Sequence, residues 1–328
     1  IKLTDDPDYN QAAFEGMLEI KGDSDHTKLI EMLDALNDDS QKIDNVLDTY
    51  FDTENLVYWL AFQILTGNCD TQNRNCYLYS PLNSKVWYFL DWDNDGMLRK
   101  LELRLTGFSD YASWERGVSN YWGNVLFNRA LRSKSFRREL DDAVKDLRSY
   151  MTEERLGKMI DHYREVTESL VFATPDLDNL PVTKDEYEQV AAAIPSEIEE
   201  NYKSYRESYK KPMPFYIGVP QIDNGKLRVN WDAAYDFEAR DIRYTVELAR
   251  DYAIADVVFK AEDVLLPEVT CDAPDAGQYF VRVRATNSDG FTQDAFDYYV
   301  TDDGKQYGMK CFYVQDGGKV VEDTYEES

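Results

Sequence analysis

The spacing of apolar residues is helical over most of the first two thirds of the chain. Residues 26–38 and 52–67 carry apolar side chains three and four positions apart, which places them on one face of a helix. In the second segment Asp52 or Thr53 can cap the start, and Gly67 marks the end. The same spacing predicts further helices over residues 124–151, 153–170 and 186–211.

Alternation with period two appears in two places. Residues 76–90 alternate aromatic side chains around a Pro-Leu-Asn-Ser turn, which predicts a β-hairpin. After Pro212 and Pro214 the helical pattern stops, and short alternating runs separated by Asn-Gly and Asp-Gly turns predict an antiparallel sandwich. These runs are residues 226–231, 242–249, 256–261, 279–286, 296–300 and 309–314. We therefore expect an α+β chain with two domains, 1–212 and 213–328.

The second region resembles a known module. The stretch DAGQYFVRVRATNSDG, together with Trp231 on an early strand, is similar to the fibronectin type III module. That resemblance implies an all-β sandwich that spaces or binds, with cell-surface or other extracellular partners, and we place no chemistry in it.

The charge balance narrows the choice of partners. With 63 acidic and 36 basic residues, the formal net charge is -27, which repels phosphate backbones and anionic membranes. Nucleic acid is therefore not an expected partner, and a solvated acidic surface suits a secreted or cell-surface protein. No stretch approaches the roughly 20 apolar residues that span a bilayer.

Four cysteines and two histidines form no zinc pattern. Pairing Cys69 with Cys76, and Cys271 with Cys311, would keep each disulfide inside one domain. Buried free thiols fit the sequence equally well, so both states of the cysteines stay open.

Candidate chemistry lies on the two sides of the predicted hairpin. Asp70 and Asn75 stand on the loop GNCDTQNRN before it, and LDWDNDG after it brings a cluster of acids that contains Asp93. A hairpin folds its two ends together, so we expect these groups to face each other. Phosphate transfer from a nucleotide needs a carboxylate that orients the attacking hydroxyl and oxygen ligands that hold a divalent metal.

The combined motifs carry a family resemblance. A helix followed by Gly67-Asn68-x-Asp70, then Asn75, an aromatic strand and Trp92-Asp93-x-Asp95, resembles the spore coat protein H (CotH) kinase family over roughly residues 10–205. The resemblance implies a mainly helical, kinase-like fold. It also implies transfer of the terminal phosphate of ATP to protein hydroxyls, with Mg²⁺, or with Ca²⁺ or Mn²⁺ in its place.

The resemblance also implies roles for individual residues. Asp70 would orient and deprotonate the acceptor hydroxyl, Asn75 would bind the metal, and Asp93 would bridge metal and phosphates. Asp91 and Asp95 would serve as supporting or additional ligands.

The chain departs from classical kinases upstream of these motifs. A glycine-rich loop and a phosphate-binding lysine should precede Asp70 by well over a hundred residues in kinases, yet Asp70 lies near the start of this sequence. Lys21, in EIKGD, is a weak substitute for that lysine. We therefore expect most of the nucleotide-binding N-terminal lobe to be missing, and ATP binding by this chain alone stays open.

The same acids admit another interpretation. Asp91, Asp93, Asp95, Gly96 and Glu102 match the calcium loop D-x-D-x-D-G-x5-E. An EF-hand needs a helix before this loop, whereas residues 85–90 have the pattern of a strand. The alternatives are a calcium-binding extracellular adhesion or scaffold protein, or a merely solvated acidic turn. The phosphate-coupled metal site is the interpretation we prefer.

Overall fold

The computed structural model describes residues 25–72, 75–98, 101, 112–180, 182–302 and 304–323. Within these ranges the protein is α+β, with seven α-helices and several antiparallel sheets. The chain folds into two compact units. Among the described residues, the first unit takes those within 25–62, 75–94 and 124–147, and the second unit takes the others.

The first unit packs helices against a hairpin. Its described elements are α1 (Thr27–Asn37), α2 (Ile43–Tyr50), most of α3 (Thr53–Thr66), β1 (Cys76–Tyr79), β2 (Tyr88–Asp91), α4 (Val125–Arg132) and most of α5 (Lys134–Tyr150). Phe89 of β2 lies 4.7 Å from Trp59, ring centre to ring centre, and Trp59 stacks on Phe127 at 5.9 Å. The amide of Asn55 on α3 also donates to the Phe89 carbonyl and accepts from its N–H. These contacts fix the hairpin on α3.

The prediction of a single helix over residues 124–151 is wrong, because Ser133 separates two helices in this region. Asn124 caps α4 by accepting from Leu126 N–H at 3.0 Å, and α4 ends at Arg132. Ser133 has an extended backbone, and its hydroxyl accepts from Phe136 N–H. Serine bonds its own neighbouring backbone in this way, which favours a helix start over a helix interior.

The helical part of the second unit contains the next two helices of the chain, α6 (Glu153–Val171) and α7 (Lys184–Ser208). A capping box between Thr183 and Glu186 starts α7. Tyr205, near its end, is completely buried, with its ring 5.3 Å from that of Tyr209. The tyrosine spacing in this helix is therefore a packing pattern.

The β-rich part of the second unit consists of two main sheets around one core. Its strands are β3 (Gln221–Asp223), β4 (Lys226–Asn230), β5 (Ile242–Ala249), β6 (Val257–Val264), β7 (Glu268–Asp272), β8 (Gly277–Asn287), β9 (Thr292–Asp294), β10 (Tyr298–Thr301), β11 (Gly304–Tyr307), β12 (Met309–Val314) and β13 (Val320–Glu322).

One sheet has the order β3-β4-β7, and the larger one has β13-β12-β8-β5-β6 with β9 beside β8. Strands β10 and β11 form a separate pair. Leu227 and Val229 of the smaller sheet share a buried cluster with Val246 and Val283 of the larger one. The predicted antiparallel sandwich is confirmed.

Within the second unit, the β-rich part packs against Trp114 and Trp122, which follow the acidic loop in the sequence. Trp122 stacks on Tyr235 at 5.3 Å, and Trp114 meets Phe296 edge to face at 5.0 Å. Asn287 donates to the Lys210 carbonyl at 2.8 Å. Residue 212 thus marks a change of secondary structure, and that it also separates two domains stays a prediction.

The sequence has no stretch expected to span a bilayer, and it leaves the state of the cysteines open. None of the helices in the described ranges is long and apolar enough to cross a membrane. The four cysteines, all within the described residues, form no disulfide in this structure. Cys271 lies on β7 and Cys311 on β12, which belong to different sheets. Burial raises the pKa of the Cys311 thiol to about 12, so this thiol stays protonated at neutral pH.

Candidate active site

The loop that carries Asp70 begins at a defined helix end. The Asn68 N–H donates to the Gln63 carbonyl at 3.0 Å, and the Gly67 N–H donates to Ile64 at 3.2 Å, which together form a Schellman motif. Gly67 has φ +64°, and a Cβ there would lie 2.6 Å from the Asn201 amide nitrogen. The predicted helix stop at Gly67 is therefore confirmed, and it fixes the direction in which the loop leaves α3.

Buried polar groups on both sides of Asp70 hold it in place. The Asn68 side chain accepts from the Asp70 N–H at 3.1 Å. The Tyr121 hydroxyl donates to the Asn68 carbonyl at 3.1 Å and lies 3.0 Å from the Thr71 hydroxyl. Asn68, Thr71 and Tyr121 are all buried, whereas Asp70 is exposed. The carboxylate thus faces solvent from a rigid support, which a catalytic base requires.

The acidic loop after the hairpin returns to Asp70. A Cβ on Gly96 would lie 2.6 Å from Asp70 Oδ2 and 2.8 Å from Asn68 Oδ1. Next along the chain, the Leu98 N–H donates to the Thr66 carbonyl at 2.8 Å. The Asp70 carboxylate therefore packs against Gly96, the glycine that ends the Asp-x-Asp-x-Asp-Gly motif.

The hairpin brings two other predicted ligands to one of its ends. Cys76 pairs with Asp91 in an antiparallel register, so Asn75 just before β1 and Asp93 just after β2 lie at the same end. Both residues have left-handed backbones, with φ +56° for Asn75 and +52° for Asp93. Asn and Asp tolerate this conformation best, and such backbones cluster at functional sites.

An aromatic pair closes this end of the hairpin. Tyr77 on β1 meets Trp92 edge to face, with ring centres 4.7 Å apart. Trp92 lies between Asp91 and Asp93 in the sequence, so the contact fixes the backbone that carries both carboxylates. This contact gives the aromatic residues of the motif a structural role.

The predicted site residues divide between the two units. Asn75, Asp91 and Asp93 belong to the first unit, and Asp70 and Asp95 to the second. Asn75 is half-buried, and the four aspartates are exposed. Among the described residues, no group of three or more His, Cys, Asp and Glu side chains has the geometry of a metal site. The meeting of Asp70 with Asp93 stays a prediction.

The secondary structure before the acidic loop argues against an EF-hand calcium site. Strand β2, ending at Asp91, enters the loop in the place where an EF-hand has a helix. The expected twelfth-position ligand, Glu102, lies outside the described residues, as does Lys21.

Two supporting residues have no signal in the sequence. Tyr121 lies 50 positions beyond Thr71 along the chain, and Asn201 lies 136 beyond Leu65, whose carbonyl accepts from the Asn201 amide at 3.1 Å. Their roles depend on tertiary contacts that no local spacing encodes.

We expect Tyr121→Phe to lower kcat about tenfold, with little change in KM, for the phosphate transfer that the sequence resemblance implies. The variant keeps the ring but removes the hydroxyl that connects Asn68 with Thr71, so Asp70 loses rigid support. Steady-state kinetics with a protein acceptor measure the two constants separately. Tyr150→Phe, at an exposed tyrosine, is the control. An unchanged kcat in Tyr121→Phe would show that the Tyr121 hydroxyl is not needed to position Asp70.

Comparison with known proteins identifies the protein family to which the chain belongs. The profile of the family described as "CotH kinase protein" matches residues 1–205. The chain therefore belongs to the CotH kinase protein family, which suggests an atypical protein kinase and implies in general ATP, a divalent metal and a protein substrate.

Solved structures and curated proteins show little similarity to the chain. The twitchin kinase region of C. elegans (Fn31-NL-kin-CRD-Ig26) is 18% identical over 29% of this chain, with a TM-score of 0.22. The match covers 20% of that protein's chain, and a TM-score this low carries no argument about fold. No curated protein matches the sequence.

Proposed function

We propose that the chain is a CotH-type protein kinase that transfers the terminal phosphate of ATP to hydroxyl groups of proteins. The observation that carries the proposal is the placement of Asp70. Its carboxylate is exposed on a buried hydrogen-bonded support and lies against Gly96 of the acidic loop. Family membership over residues 1–205 supplies the reaction class.

In this mechanism Asp70 accepts the proton of the acceptor hydroxyl. The hydroxyl oxygen then forms a bond to the terminal phosphorus of ATP, the bond from that phosphorus to the bridging oxygen breaks, and ADP leaves with its electron pair. Since transfer depends mainly on positioning, the Tyr121 and Asn68 contacts that hold Asp70 contribute directly to the rate.

The hairpin end supplies oxygen ligands. Asn75 and Asp93 would hold the divalent metal, with Asp91 and Asp95 as supporting or additional ligands. Carboxylate and amide oxygens suit Mg²⁺, and also Mn²⁺ or Ca²⁺. The bound metal would neutralise charge on the phosphates.

We also propose that residues 213–328 form a fibronectin type III-like domain after a kinase-like domain of residues 1–212. A three-stranded sheet facing a larger sheet supports this proposal. So does the Tyr279 hydroxyl at the start of β8, which donates to the Asp275 carbonyl at 3.1 Å as in a tyrosine corner. Such a module and a strongly acidic surface suit a secreted or cell-surface protein with extracellular contacts.

The test is transfer of radiolabel from the terminal phosphate of ATP to a generic protein acceptor in the presence of Mg²⁺. The proposal predicts incorporation of label into the acceptor. A rise in thermal stability with Ca²⁺, with no transfer under any divalent metal, would support the calcium-binding alternative and overturn this proposal.

A further inference from the structure

Helix α6 carries an exposed apolar stripe. Met159, Tyr163, Val166 and Leu170 are 40, 61, 59 and 64% exposed. They are separated by four, three and four positions, which is the a/d spacing of a coiled-coil seam. Scattered exposed apolar residues are ordinary on a protein surface, but four on one face of one helix indicate an interaction site.

The stripe is distinct from the face that α6 turns toward α7. Arg164 of α6 forms an ion pair with Glu188 of α7, and the ring of Phe172, just past the end of α6, meets Tyr187 at 5.2 Å. At 100° per residue, Arg164 lies more than a quarter turn from the stripe. Although α6 has 19 residues, none is buried, so packing inside the chain covers only part of its apolar surface.

The charges of α6 leave the stripe accessible to a second copy of this chain. Asp161, Glu165 and Glu168 lie on the far side of the helix from the stripe. The outer edge of the stripe is formed instead by Arg155, His162 and Ser169. In a chain of net charge -27, such an edge lets two copies approach without opposing carboxylates.

We propose that the protein forms a two-fold dimer in which the α6 stripes of two copies pack antiparallel. Antiparallel pairing centred between residues 164 and 165 places Met159 opposite Leu170 and Tyr163 opposite Val166, each pair occurring twice. Tyr163 thereby meets the smaller Val166, Met159 meets Leu170 of similar size, and the surface is self-complementary, as a two-fold interface requires. In such a pair each edge of the stripe meets the same edge of the other copy, so the outer edges, which carry Arg155, His162 and Ser169, bring no acids together.

Two further exposed apolar residues flank α6 in the sequence. Tyr150, before the helix, and Leu177, after it, are also exposed. Specific interfaces bury about 800 Å² per partner, and weaker ones less. A stripe of four apolar residues should bury less area than this, so we expect a weak dimer with a Kd of about 1–10 µM.

Sedimentation analysis of the whole chain tests the proposal. At about 100 µM, above the expected Kd, the wild type should sediment with twice its monomer mass of 38.2 kDa, and Val166→Glu should remain monomeric. Lys158→Glu places the same side chain on the charged face of α6 and should remain dimeric. Circular dichroism and thermal melting should show that Val166→Glu is folded; if it is not, Tyr163→Gln provides the same comparison.

Two outcomes would overturn the proposal. One is a wild-type chain that stays monomeric at this concentration, including a monomer whose stripe binds a different protein. The other is a dimer that persists in both folded stripe variants, because its interface would then lie elsewhere.

Discussion

Replacing Asp70 by asparagine should lower the rate of phosphate transfer about 10²- to 10⁴-fold. Asparagine keeps the size of the side chain but cannot accept the proton of the attacking hydroxyl. The hydrogen bonds that shape the loop use the Asp70 N–H and its neighbours Asn68 and Thr71, so the loop should keep its structure. Single-turnover transfer of label to a protein acceptor measures the effect on the chemical step.

The matched control is Asp316→Asn, which makes the same chemical change at an exposed turn of the β-rich part. It should leave the rate and the melting temperature unchanged. Transfer by Asp70→Asn at the wild-type rate would show that another group acts as the base.

Replacing Gly96 by alanine should reduce transfer by about 10²-fold and destabilise the protein by about 1–3 kcal/mol. The new Cβ would lie 2.6 Å from Asp70 Oδ2 and 2.8 Å from Asn68 Oδ1, so the carboxylate or the loop must move. The rate of transfer and thermal unfolding should be measured on the same preparation.

Gly157→Ala separates this effect from a general intolerance of side chains at glycine positions. Gly157 lies inside α6, and a Cβ there meets nothing within 4 Å. Alanine should stabilise that helix by about 0.5–1 kcal/mol and leave transfer unchanged. Full activity in Gly96→Ala would mean that the close packing of Asp70 against Gly96 does not matter for the reaction.

Features encoded by local spacing were predictable from the sequence. The ends of α3, the β1–β2 hairpin and most strands of the sandwich follow from apolar periodicity and from residues such as Gly67. The placement of Asn75 and Asp93 at one end of the hairpin follows from the same pattern, since antiparallel pairing brings the ends of a hairpin together.

Features that depend on tertiary contacts were not predictable in this way. The break at Ser133 depends on one hydroxyl that replaces a helical bond, and apolar spacing continues across it. The support of Asp70 by Tyr121, and of the helix end by Asn201, joins positions far apart in the chain. The short strands β3, β9 and β13 span three residues each, too few to show a period.

The proposed function requires that Asp70 and Asp93 act in the same phosphate-transfer reaction, and a double-mutant cycle on the transfer rate tests this claim. Asp70→Asn and Asp93→Asn are measured singly and together, at saturating Mg²⁺-ATP. Groups that act as one unit lose their effect together, so the double variant should be about as slow as the slower single variant. Losses that multiply fully, or an Asp93→Asn variant with the wild-type rate, would contradict the claim.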